Sequence, residues 1–211
     1  MPRVQLCDVG HSYLLWIYMK FNVISTVAEK LLRGDVIMVA HGESADTEQT
    51  ARWEADEMMA WWSLVFTSRL LLDRLDTDLK RGHGLTLDEY GILVALEAAP
   101  DSRVRMNDLA EAALLSQSRL SQQIKRMQAR GLVDRQRAAT DKRGVEVVLA
   151  ETGRELLLAV TPGHIDRVRR YFLQHLSAHD RAALATSLRP ALNSLATSPA
   201  LLRMLEPVLS D

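Results

Sequence analysis

The chain has 211 residues, 47% of them apolar and 25% charged, with a formal net charge of −1. That mixture suits one generous globular domain or two small ones, and it excludes a mainly disordered chain, a collagen-like repeat and a multi-span membrane protein. Cys7 is the single cysteine, so the chain has no disulfide framework, cysteine-based zinc site or CxxC redox pair, and a reducing cytoplasm is the expected compartment.

Residues 1–37 differ in composition from the rest. Phe, Tyr, Met, Ile, Asn and Lys supply 11 of these 37 residues but only 18 of the other 174. The apolar run from Tyr13 to Met19 is broken by Lys20 and Asn22 before it could span a bilayer. Asp8 and Lys20 also disagree with a signal peptide. Two readings remain: an arm that packs on a partner subunit, or an upstream extension with translation starting at Met38. The second is the expectation taken here, followed by a polar acidic leader over 38–51.

Thr50 to Lys80 contains neither glycine nor proline. Trp53, Trp61, Leu64, Phe66, Leu71, Leu75 and Leu79 recur among polar residues, so one long amphipathic helix is expected over about 52–81. Thr86-Leu-Asp-Glu89 has the pattern of a capping box, in which the hydroxyl and the carboxylate satisfy free amides at a helix start. A second helix then runs to the stop at Ala98-Ala-Pro100-Asp101, and a short third covers about Asn107 to Leu114. Ser116 is a fitting N-cap for a fourth helix, with Gly131 as its stop. Within it Leu120, Ile124 and Met127 fall inside about 60° of arc, which predicts a buried stripe. Leu132-Val133 and Val145-Glu-Val-Val-Leu149 have strand composition, with a basic hairpin between them. A fifth helix begins near Glu151, is expected to be disturbed at Thr161-Pro162-Gly163, and continues to about Leu176. Ser177-Ala-His-Asp180 opens a sixth, which Pro190 should kink. Residues 198–211 read as a tail.

Charge is concentrated where this order becomes informative. From Arg119 to Arg143 eight basic residues face two acidic ones, a local +6 that leaves −7 for the remainder. Such a patch points to a polyanion. Helix, tight turn, helix and hairpin is the order of a winged helix-turn-helix, spanning about 86–150. Its second helix would offer Ser116, Gln117, Ser118, Arg119, Ser121, Gln122, Lys125 and Arg126 to a major groove. Long cations there can reach phosphates or guanine edges, and Gln122 can pair with adenine. The hairpin carries Arg135, Arg137, Asp141, Lys142 and Arg143, and arginine at a thin tip suits a narrow minor groove.

The sequence resembles the MarR family, the multiple-antibiotic-resistance type of bacterial regulators, from about Trp53 to Leu195. The resemblance rests on Asp108-Leu-Ala-Glu111, Leu115-Ser-Gln-Ser-Arg119, Gly131-Leu-Val133 and Asp141-Lys-Arg-Gly144 in that order and spacing. It implies a dimer whose first, fifth and sixth helices interlock, with Arg143 reaching a minor groove and Asp141 bracing the wing. Two departures stand out. Ala150 occupies a position where the family usually has threonine, and Pro162-Gly163 falls in a helix that is often continuous.

Other constellations carry less. Trp53, Trp61, Trp62 and Tyr90 mostly suit packing, with Trp61 and Tyr90 the candidates for a pocket that takes a small aromatic or phenolic effector. His175 and His179 straddle a helix boundary without a third ligand nearby, so no metal or cofactor is expected. Gly-x-Ser-x-Gly, Walker and HExxH motifs are absent, and no catalytic residue is assigned. The expectation is a mainly α protein, not an enzyme. It would be a winged helix-turn-helix with a two-stranded β wing and a helical dimerisation region formed by both chain ends (about 52–81 and 151–197). Its partners would be double-stranded DNA and a second copy of itself, with no membrane, and it would act as a ligand-responsive repressor. The alternative from another class is a helical ligand-sensing or protein-interaction scaffold that does not bind DNA.

Overall fold

The computed structural model describes residues 53–137 and 144–209. The expectations for 1–37 and the 38–51 leader, and for Asp141, Lys142 and Arg143 at the wing tip, lie outside the described residues. Two compact units divide at Val65. The described part of the first consists of residues 53–65, which enter a helix, α1 (Ala55–His83), that continues into the second unit. Asp56 and Glu57 in its first turn, and Lys80, Arg81 and His83 in its last, oppose the partial charges of the helix ends.

In the second unit α2 (Leu87–Glu97) starts at the expected capping box. Thr86 Oγ1 accepts from the Glu89 amide at 3.1 Å, and Glu89 Oε2 accepts from the Thr86 amide at 2.9 Å. A 3₁₀ turn (Pro100–Ser102), a strand β1 (Arg103–Arg105) and the short α3 (Met106–Ala112) follow. Then come α4 (Gln117–Ala129), β2 (Val133–Arg137) and β3 (Val145–Leu149). The predicted hairpin is present, and it gains a third strand. The sheet is antiparallel in the order β1-β3-β2, with both Val104 and Arg135 opposite Val147. The core lies where α2, α3, α4, the sheet and the start of α5 converge, around Ile92, Leu93, Leu96, Leu109, Leu120, Ile124, Met127, Val133 and Val147.

Helix α5 (Glu151–Tyr171) corrects one expectation, because it runs through Pro162 without interruption. Proline removes the bond to the Leu158 carbonyl, but Leu158 and Pro162 are both exposed, so water can reach that carbonyl. One residue earlier, the Thr161 hydroxyl donates to the Leu157 carbonyl at 2.8 Å. The helix ends at Tyr171, with a 3₁₀ turn (Leu173–His175) before α6 (Ala178–Leu195). Ser177 and Asp180 form a second capping box at the start of α6, and that helix also continues through Pro190. In the stretch read as a tail the chain forms α7 (Pro199–Leu209). This helix packs on α3; Ala200 in its first turn is buried, as is Ala196 just before it.

The entry to α5 is closely packed. Ala150 supplies no side-chain cap. Its amide instead donates to the Leu132 carbonyl at 3.1 Å, and the Thr152 hydroxyl donates to the Gly131 carbonyl. A Cβ on Gly153 would stand 2.1 Å from the Leu132 oxygen, so only glycine lets the first turn of α5 lie this close. Gly153→Ala should therefore destabilise the protein by about 1–3 kcal/mol, the usual cost of forced overpacking. Urea unfolding is the check, and an unchanged midpoint would contradict this packing.

Candidate nucleic-acid interface

Helix α4 has two opposed faces. Leu120, Ile124 and Met127 are fully buried, as the periodicity predicts, and Gln123 joins them at 5% exposure. Ser116 accepts from the Arg119 amide at 3.3 Å, and Gly131, at φ 69°, takes the left-handed conformation that ends the helix. The opposite face exposes Gln117, Ser118, Arg119, Ser121, Gln122, Lys125 and Arg126, with Ser116 exposed at its start. One helix thus presents amides, hydroxyls and cations together, the donor set that reads base edges and phosphates.

These residues are not equally available. Arg119 donates from Nε at 2.8 Å to Asp88 Oδ2 on α2, with a second guanidinium nitrogen at 2.7 Å. The Gln123 amide donates to the same oxygen at 3.2 Å. Gln117 donates to Asn107 on α3 at 3.1 Å, and the Ser116 and Ser118 hydroxyls lie 3.3 Å apart. Arg135, expected as a wing contact, instead reaches back from β2 to α4. It donates to the Ser121 carbonyl at 3.1 Å, with the Ser121 hydroxyl at 3.4 Å. Gln122, Lys125 and Arg126 have no side-chain partner among the described residues. Arg137 is exposed at the end of β2, opposite Val145 in the ladder.

The acidic residues that hold α4 were not among the expected site residues. Asp88 and Glu89 were visible only as part of a capping box. Glu89, 4% exposed, also receives Arg130 at 3.4 Å from the far end of α4. Asp76 on α1 completes the support by accepting from the Leu87 amide at 2.9 Å. Burial pushes the Asp76 carboxyl up, but the Lys80 ammonium at 2.5 Å and the Leu87 amide outweigh it and hold its pKa below the ordinary value.

The MarR family's sequence profile matches residues 83–144, from the end of α1 to the residue before β3. AbsC of Streptomyces coelicolor, a MarR family transcriptional regulator, is 40% identical; the alignment covers 70% of this chain and all of that one, with a TM-score of 0.65. The chain belongs to the MarR family. Sco3205 of the same organism, a MarR family regulator solved in complex with DNA, is 34% identical over 72% of this chain and 95% of that one, with a TM-score of 0.66. The transcriptional regulator HosA of Escherichia coli O157:H7 is 33% identical over 110 residues, 52% of this chain and 79% of HosA. These relatives are regulators of transcription.

Within this MarR-family chain the two candidate pocket aromatics have different surroundings. Trp61, in the first unit, is 48% exposed and stacks on Trp53 with ring centroids 6.3 Å apart. Tyr90, in the second, is buried where α2 meets α5; its hydroxyl lies 3.4 Å from Thr161 Oγ1 and its ring 4.4 Å from that of His164. An apolar groove lies elsewhere in this unit, lined by Leu173, Leu176, Leu184, Leu188 and Val208. No described helix is long and apolar enough to cross a membrane.

Burial, and secondarily the nearby Arg167 guanidinium, hold the His164 pKa below its ordinary value. The unfolded chain then binds this proton more readily than the folded one, so stability is complete above about pH 6.5 and is lost as pH falls below it. His164→Gln should flatten the dependence of the urea midpoint between pH 7.5 and 5. An unaltered profile would show that His164 does not carry it.

Proposed function

We propose that this MarR-family protein is a cytoplasmic, sequence-specific DNA-binding repressor that acts as a homodimer on a pseudo-palindromic operator. The observation that carries the reading is the exposed face of α4. There Gln122, Lys125 and Arg126 stand without side-chain partners among the described residues, opposite a fully buried stripe. Gln122 reads a base edge, Lys125 and Arg126 meet phosphates, and Arg137 with Lys142 and Arg143 of the wing follows the backbone into the minor groove. The DNA complex of Sco3205, a relative 34% identical, supports DNA binding as the activity. Release by a small aromatic or phenolic effector completes the proposal, with Trp61 in the first unit and Tyr90 in the second as two separate candidate contacts.

Selection from a randomised duplex library, followed by titration of the selected duplex and a scrambled one, tests the reading. Lys125→Ala should weaken both complexes alike and flatten the dependence of log K on log salt by about 0.9 for each recognition helix engaged. Gln122→Ala should instead relax preference at one position of each half-site. A wild-type chain that selects no sequence would favour the non-DNA scaffold.

The dimer rests on apolar surface that the described chain leaves uncovered. On α1 Leu70 is 69% exposed and Leu72 50%, and α6 buries none of its residues. Such surface, with two recognition helices needed about one DNA turn apart, fits a two-fold interface. Leu188→Asp on α6 should shift the sedimenting species from dimer to monomer and reduce binding to the selected duplex by more than tenfold. A wild-type chain that sediments as a monomer while binding tightly would overturn the dimer.

A further inference from the structure

Helix α4 carries three cations on its exposed side, and they differ in one respect. Lys125 and Arg126 have no partner among the described residues, whereas Arg119 is held by Asp88 at 2.8 and 2.7 Å. We infer that Asp88 is a positioning residue that withholds the Arg119 charge from DNA and thereby sets the balance between selective and indiscriminate binding. The inference rests on the reading of α4 as the DNA-facing helix.

The geometry favours this role over a purely structural one. Arg119 is 62% exposed at its side chain, and ion pairs this exposed add little to stability. Asp88 itself is fixed. It sits in the first turn of α2, between the Leu87 amide held by Asp76 at 2.9 Å and the Glu89 of the capping box. Its Oδ2 takes Arg119 and, one helical turn along, the nearly buried Gln123 at 3.2 Å. A single carboxylate oxygen thus grips two successive turns of α4 and neutralises the cation nearest the helix start. A guanidinium whose charge is already balanced by its own carboxylate adds little counterion release on DNA. Freed, it would add one phosphate contact per recognition helix, and that contact would carry no sequence information.

The experiment uses the full-length protein, the duplex selected from a random library and a scrambled duplex of the same composition. Asp88→Ala should tighten binding to the scrambled duplex, by on the order of tenfold near 0.1 M salt for each helix engaged, and steepen its salt slope by about 0.9 per helix. The ratio of selected to scrambled affinity should fall. Asp88→Asn, which keeps the size and an acceptor for Gln123, should show the same steepening in a chain with the native fold. Arg119→Ala in either background should abolish the gain. If Arg119→Ala alone flattens the slope by about 0.9 per helix, Arg119 already touches phosphate and the inference is wrong. An unchanged affinity ratio in both Asp88 variants also overturns it. A wild-type chain that binds neither duplex removes the DNA-facing reading of α4, and this inference with it.

Discussion

Leu120, Ile124 and Met127 share one face of α4 with no exposure to solvent, and that burial governs what the rest of the helix can do. Rotating the helix by even one residue's arc would carry a large aliphatic side chain toward water and a glutamine or serine into the core. Either change costs on the order of 1–3 kcal/mol. Polar contacts then remove the remaining freedom. Asp88 and Glu89 hold α4 from α2 near its two ends, and Arg135 ties its middle to β2. The exposed donors are therefore presented at a fixed angle, as direct readout of base edges requires.

The basic segment that stands out in the sequence consists of two populations of cations. Arg119, Arg130 and Arg135 are spent on internal acceptors, while Lys125, Arg126 and Arg137 face solvent without partners among the described residues. Residue type does not distinguish them, because each assignment depends on an acceptor that is distant in sequence. Asp88 lies 31 residues before Arg119, Glu89 lies 41 before Arg130, and Ser121 lies 14 before Arg135. A count of charges along the chain overstates what is available to a polyanion.

The same distinction separates what could be read from the sequence from what could not. Local signals were legible: the Thr86 capping box, the helix start at Ser177, the Ser116 cap, the Gly131 stop and the stripe of α4 all lie within a few residues of the groups they satisfy. Strand β1 was not. Its three residues, Arg-Val-Arg, contain one apolar side chain, and only pairing with β3 makes them a strand. The continuity of α5 was obscured because proline is judged by the bond it removes, and the sequence does not tell which face that bond lies on. Helix α7 begins at a proline after Ser198, whose hydroxyl accepts from the Leu201 amide at 3.0 Å, a start signal short enough to pass for a turn in a tail. For the candidate site the residue types and the exposed face were legible, and the engagement of Arg119 and Arg135 was not.

Helix α6 has 18 residues, and none of them is buried by its own chain. Most of a helix's stability in a protein comes from packing its apolar face, so much of the order of α6 in solution would come from whatever covers it. If that cover is a second copy, folding of this end of the chain and association become one equilibrium. Its resistance to heat and denaturant would then rise with protein concentration. In a cell the number of subunits would set how much folded regulator exists as well as how much of its target is occupied, so dilution would weaken the protein twice.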